Sequence, residues 1–466
     1  MVLVIGALAA PPRVRAQASS PPPPLGPLTL AQAIQYAADH YPTVRAAIEQ
    51  INASTSGVSV ARSAYLPRLD SLWQSNRGTA NNIFGQVLPQ SVIPSMSGPV
   101  LASASTGSVW GSATGALFSW EAFDFGLRQA AVASAEAAVA RARAGERLTR
   151  LDVETAVGSA FLSIVGAQRA VTALQADLDR RDLLSRAVHV LVDNQLRPGA
   201  EASRSDAERA AAQTRLIQAQ EAVTLAQISL ARVLGVTNGP VAIDEATLVD
   251  RLPTRDATAP GPATHPLAQV HQAEIDMARA QEDILSRVDL PRVYFQSSVF
   301  ARGSGGNANG SLDGGFSGLG PDRANWAAGV QVVFPNLFDF TSLHARKAAA
   351  AASARAESAR YDEALLTVTS QQQTAAAMVQ AARAIAANTP VQLASAQQTE
   401  SQARARYQAG LASIVEVADA QSLLAQAEVQ DQIVRIDVWR ALLAQAVARG
   451  TLTPFLALVN PSEGVR

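Results

Sequence analysis

At 466 residues the chain has room for two or three ordinary domains or for one long repetitive one. A formal net charge of −1 with 17% charged residues offers no basic surface to nucleic acid, and the absence of cysteine removes disulfides, thiolate metal sites and thiol nucleophiles together. His40, His189, His265, His271 and His344 show no HExxH-type spacing, and no glycine motif stands between a strand and a helix, so no metal, cofactor or catalytic residue is expected.

The N-terminus carries an apolar run, VLVIGALAA (2–10), then Ala16-Gln17-Ala18, an A-x-A shape without a preceding basic region. Residues 1–18 therefore read as a signal peptide, and the proline-rich 19–27 as an extended mature N-terminus. No uninterrupted run of 18 or more apolar residues occurs elsewhere, so any membrane crossing is expected as strands.

From residue 28 the sequence says the same thing twice. Tyr41-Pro42 is echoed by His265-Pro266, and LPR at 66–68 by LPR at 290–292, both at an offset of 224. FDF at 123–125 returns at 338–340, and Gly235 as Gly450, at an offset of 215. Two homologous repeats, 28–240 and 264–450, account for these matches, with 241–263 as linker and 451–466 as a C-terminal tail. The first repeat reads as helix 28–64, strand hairpin 65–125, long helix 126–193, tip turn 194–200 and helix 201–235. The second reads as helix 264–288, strand hairpin 291–340, long helix 341–408, tip turn 409–412 and helix 413–449.

The helical stretches are rich in Ala, Gln, Glu and Arg. Sparse larger residues such as Leu216, Val223, Leu230 and Leu234 fall at the spacing of a helix seam, which predicts antiparallel coiled-coil hairpins. A helix over 126–193 would be on the order of 100 Å long, which suits a tube better than a compact enzyme.

The strand segments are different material. They hold 16 of the 23 aromatic residues in 111 positions, including Trp73, Trp110, Trp120 and Trp326. In NWAAGVQVVF (325–334), Trp326, Ala328, Val330, Val332 and Phe334 share one face, while Asn325 and Gln331 lie on the other. A half-buried soluble hairpin alternates in this way, and so does a transmembrane one; the aromatic concentration favours the membrane. Four strands cannot close a membrane barrel, and open edges are not tolerated in lipid. Several chains must then share one barrel. Three would give twelve strands, although the pattern does not fix that number.

The stretch YQAGLASIVEVADAQ (407–421) breaks the helical texture at Gly410 and follows it with Glu416 and Asp419, which share a helix face. Such a pair suits acid–base chemistry, a ring of charge in a pore, or simply the first turn of a helix, where the macrodipole favours acids. Together with LTLAQAIQYAADHYPTVRAA (28–47) and the order of elements across both repeats, YQAGLASIVEVADAQSLLAQAEVQ (407–430) resembles the TolC-type outer-membrane efflux protein family over about residues 28–450.

The resemblance implies a mainly α fold with a β-barrel portion: a homotrimer whose twelve-stranded barrel lies in the outer membrane of a Gram-negative cell, continued through the periplasm by a helical tunnel. It implies a passive duct of a tripartite efflux pump or type I secretion system, whose partners are a periplasmic adaptor and an inner-membrane transporter. Gly410, Leu411, Ala412 and Ser413 would form the second tip, where the adaptor docks; Leu196, Pro198 and Gly199 belong to the first, where Gln195 stands in place of the family glycine. By the same resemblance Glu416 and Asp419, six and nine residues beyond the tip glycine, line the constriction; Glu201 and Arg204 take the equivalent positions in the first repeat. Tyr407 matches a tyrosine that holds the tip shut, while Ala412 replaces the family's arginine. Arg197 is the residue placed to substitute for that arginine by reaching an acidic partner. The rival reading from the residues alone is a periplasmic coiled-coil scaffold or adaptor without a pore.

Overall fold

The computed structural model describes residues 26–79, 106–236, 241–244, 248, 261–307, 309, 311–335 and 340–459. The expected signal peptide, most of the linker, the end of the tail and Phe338-Asp339 of the second FDF lie outside the described residues.

Where one helix is expected over 28–64 there are two, α1 (Leu30–His40) and α2 (Pro42–Ser63). Pro42 crowds the residue before it out of the helical region, and Tyr41 accordingly sits at φ −65°, ψ 132°. The echoed dipeptide does the same in the second repeat, where His265, at φ −66°, ψ 137°, precedes α5 (Pro266–Arg287). α1 begins with a capping box, Thr29 Oγ1 accepting from Gln32 N while Gln32 Oε1 accepts from Thr29 N.

β1 (Arg68–Thr79), β2 (Ser108–Phe123), β3 (Arg292–Ser304) and β4 (Arg323–Val333) form one antiparallel sheet in the order β1-β2-β3-β4. The β2–β3 ladder joins the two repeats, so β1 and β4 are left as edges among the described residues. Register places Leu69, Ser71, Ala116, Phe118, Trp120, Phe295, Val299, Trp326, Ala328 and Val330 on one face. That face is open: Trp326 is 79% and Val330 69% exposed. The opposite face carries Asp70, Gln74, Ser119, Gln296, Ser298 and Gln331, interrupted by a small apolar cluster of Leu72, Ala113, Leu117 and Phe300.

The long helices follow the strands. α3 (Leu127–Asp193) and α4 (Gly199–Leu234) form one antiparallel hairpin; α6 (Phe340–Gln408) and α7 (Ile414–Ala448) form the other. α3 packs on α7, and α2 and α5 lie along α3. Among the described residues, α3 alone holds a stretch apolar and long enough to cross a membrane as a helix, and half of that stretch is buried within the protein. Its Val157, Phe161, Ile164 and Val165 belong to the main core with Leu30, Ile34, Leu230, Leu234, Trp439 and Leu442. A β-carbon at Gly158 would come within 3.1 Å of Leu443, so a glycine there lets α7 approach closely. A short helix, α8 (Thr453–Val459), closes this core: Phe455 packs edge-on to Trp439 at 6.0 Å, and Trp439 Nε1 donates to Leu248 O at 2.7 Å.

Candidate functional site at the hairpin tips

Four long helices end on the same device. Gln195, Gly235, Gly410 and Gly450 take left-handed φ values of 59°, 73°, 76° and 81°. The next N–H then returns to a carbonyl five residues back: Leu196 to Leu191 (2.8 Å), Val236 to Ala231 (3.0 Å), Leu411 to Arg406 (2.8 Å) and Thr451 to Ala446 (3.2 Å). Gln195 therefore makes the turn that glycine makes in the other three, against a steric cost on the order of 1–2 kcal/mol. Pro198, in extended conformation, then leads into α4, and Ser413 caps α7 by accepting from Glu416 N at 3.4 Å.

The two tips are fastened to each other through Tyr407. Its ring is only 4% exposed and packs with Val188, Ala202, Ile414 and Val417. Its hydroxyl donates to Glu201 Oε2 at 2.7 Å. Arg197 lies over the ring at 4.7 Å, donates through Nη2 to the Tyr407 carbonyl at 3.1 Å, and brings Nη1 to 3.8 Å from Glu201 Oε1. Burial first, and the bond to Glu201 second, push the Tyr407 phenol up to about 12, with Arg197 pulling the other way.

The structure thus brings Tyr407, Arg197 and Glu201 together and leaves the other charged candidates apart. Glu416 and Asp419 lie on an exposed face of α7, where Arg406 Nη1 reaches Glu416 Oε2 at 3.7 Å and Asp419 has no ion pair among the described residues. Arg204 is likewise exposed and unpaired among them. Leu196 and Leu411 occupy corresponding places on the two tips and stand 69% and 71% exposed, with Pro198, Gly199, Gly410 and Ser413 exposed around them and Ala412 half-buried.

Farther from the tips lies a polar network that the sequence did not reveal. Asp177 and Arg181 of α3 are buried and paired at 3.0 Å. Arg181 also donates to Glu208 of α4 (2.9 Å) and Ser422 of α7 (3.0 Å), while Arg215 of α4 reaches Asp177 (3.3 Å). Arg180 pairs bidentately with Glu428 of α7, at 3.0 and 2.5 Å. The Asp177–Arg181 spacing of four was visible in the sequence; that α4 and α7 supply its partners was not.

The sequence model of the outer membrane efflux protein family matches residues 33–236 and 263–445. No curated protein sequence gives a significant match. Among solved structures, the Vibrio cholerae outer membrane protein VceC is 19% identical at a TM-score of 0.71, covering 91% of this chain and 96% of its own. The Campylobacter jejuni outer membrane channel CmeC is 13% identical at 0.74, covering 90% and 85%. The open state of the Neisseria gonorrhoeae MtrE outer membrane channel is 17% identical at 0.67, covering 91% and 89%. At these identities the structures speak for the fold, a helical body with barrel strands, and the family match extends over both repeats. The chain belongs to the outer membrane efflux protein family, whose members are outer-membrane transport channels.

Proposed function

We propose that three copies of this chain form a passive export duct, the outer-membrane component of a tripartite efflux pump or type I secretion system. The observation that carries this reading is the four-stranded sheet with one open apolar face and, among the described residues, two bare edges. Such a sheet is stable in lipid only when its edges are paired, and closure by β4 of one copy against β1 of the next gives a twelve-stranded barrel. The helical hairpins continue the barrel into the periplasm, and the apolar tip residues Leu196 and Leu411 meet a periplasmic adaptor that couples the duct to an inner-membrane transporter. The duct performs no chemistry; the transporter supplies the energy.

In this assembly Glu416 and Asp419 give six acidic groups around one axis, which concentrates cations at the constriction. Glu201 stays with Tyr407 and Arg197 as part of the fastening between hairpins, and the duct opens when adaptor engagement parts them. The test is single-channel conductance of the detergent-purified protein in a planar bilayer, for wild type and Glu416→Ala/Asp419→Ala, with a trivalent cation on the periplasmic side. Small cation-selective steps, blocked in wild type and unblocked in the variant, are expected. Folded protein that forms no channel would overturn the duct, and equal block in both proteins would remove the two carboxylates from the constriction.

A further inference from the structure

One side-chain cluster away from the tips has no part in this reading. His271 and Glu274, three apart on one face of α5, meet Glu357 of α6, and one ligand atom from each falls within 4.8 Å of the other two. The arrangement of the carboxylate oxygens is specific. Glu274 Oε1 accepts from Arg141 of α3, from Nε at 3.3 Å and Nη2 at 3.2 Å, and Glu357 Oε1 accepts from Arg360. Each arginine holds Oε1 of one carboxylate and leaves the other oxygen, and Glu274 Oε2 lies beside His271. Glu357 Oε2 is buried with no hydrogen-bond partner. His271 Nδ1 is also buried without a hydrogen bond, and Glu274 Oε2 lies 3.2 Å from it. A buried polar atom left without a partner costs about 1–3 kcal/mol, so these atoms are placed to gain from a ligand.

The repeat supplies an internal comparison. At offsets of 224 and 215 the first-repeat counterparts of His271, Glu274 and Glu357 are Ala47, Gln50 and Ala142, and those of Arg141 and Arg360 are Ala356 and Gly145. Neither the three candidate ligands nor the two arginines that orient them are required by the packing of the repeat. They occur together, once.

We propose that His271 Nδ1, Glu274 Oε2 and Glu357 Oε2 form a binding site for a borderline divalent transition ion of the Zn²⁺ class, clamping α5 to α6. One imidazole nitrogen and two carboxylate oxygens make a donor set suited to such ions, with the two arginines as the outer shell that fixes the carboxylates. Those arginines cancel the carboxylate charge, so attraction rests on direct nitrogen and oxygen bonds and not on net charge. This disfavours Mg²⁺ and Ca²⁺, which take oxygen-rich, highly charged sites. Bonds of about 2.0–2.2 Å to a common ion would draw the three groups closer together by small rotations of the side chains.

The test uses the full-length chain purified in detergent, stripped of metal and titrated with Co²⁺, whose visible absorption reports coordination. Wild type is expected to bind about one ion per chain, to release it to Zn²⁺, and to keep it in a large excess of Mg²⁺ or Ca²⁺. His271→Ala and Glu357→Gln are each expected to lose the signal, and His40→Ala to keep it. Absence of a signal in wild type would overturn the site, as would an equal signal in His271→Ala or Glu357→Gln. Should His271→Ala fail to fold, Glu357→Gln, which keeps the side-chain shape, decides the matter.

Discussion

Tyr407 is a residue at which packing and charge act together. The phenol must stay protonated to donate to Glu201, and both its burial and that bond favour the neutral form. A folded-state pKa raised from 10.0 to about 12 means the fastening is complete below about pH 10 and is lost as pH rises toward 12. Conductance of wild type in a planar bilayer is therefore expected to rise across that alkaline window. Tyr407→Phe keeps the packing and removes the donor, leaving Glu201 to Arg197 alone at a cost of about 1.5–3 kcal/mol, the worth of a hydrogen bond to a charged group. Its conductance should be higher at neutral pH and flat through the alkaline window; a Tyr407→Phe channel that still responds there would put the titrating group elsewhere. The sequence makes Tyr407, Arg197 and Glu201 legible only through the resemblance to the efflux family, which assigns roles to positions counted from the tip. It does not disclose that Glu201 turns toward the tyrosine while Glu416 stays on an open face. That depends on the distance between two hairpins separated by some 200 residues of chain. Gln195 is a second instance: the departure from glycine is visible, but its adoption of the glycine conformation follows from the helix-end hydrogen bonds around it.

At the scale of elements, helix existence is read easily from composition, and helix breaks are read from proline only when the residue before it is considered. Pro42 and Pro266 both end what precedes them, whereas Pro390 sits inside α6 without ending it. What no periodicity contains is how the hairpins are tied. The Asp177 carboxylate is fully buried between Arg181, one turn on in α3, and Arg215 of α4, while Arg181 also reaches Glu208 of α4 and Ser422 of α7, so one polar cluster ties three helices. Asp177→Ala would leave buried Arg181 with Glu208 as its remaining acidic partner, at a cost below the ~3–5 kcal/mol of a buried pair broken outright. Hydrogen exchange should then accelerate in the turns of α3 and α4 around Arg181, Glu208 and Arg215 relative to the core around Trp439. Glu428→Gln, which weakens a pair one-fifth exposed, should loosen α7 from α3 by less. Uniform exchange in Asp177→Ala would mean that apolar seams alone hold the hairpins.

For the whole molecule the decisive feature is the sheet, because its two faces make opposite demands. Val330, opposite Phe295, stands on the open apolar face, and Gln331, opposite Tyr294, on the other. If the chain completes a barrel with two further copies, the first face meets lipid and the second meets water in the lumen. An arginine facing lipid costs about 2–4 kcal/mol near the bilayer midplane, whereas a lumen arginine remains hydrated. Three copies multiply the difference. Val330→Arg is therefore expected to reduce the heat-modifiable, membrane-extracted form sharply, and Gln331→Arg, one residue away on the same edge strand, to leave it near wild type. The pair separates lipid contact from general damage to β4, since both substitutions add the same bulk and charge to the same ladder. Equal loss in both would indicate that the strand tolerates no arginine for reasons of pairing. Equal tolerance would mean that the apolar face is covered by protein rather than lipid, and the reading of the sheet as one third of a membrane barrel would fall with it.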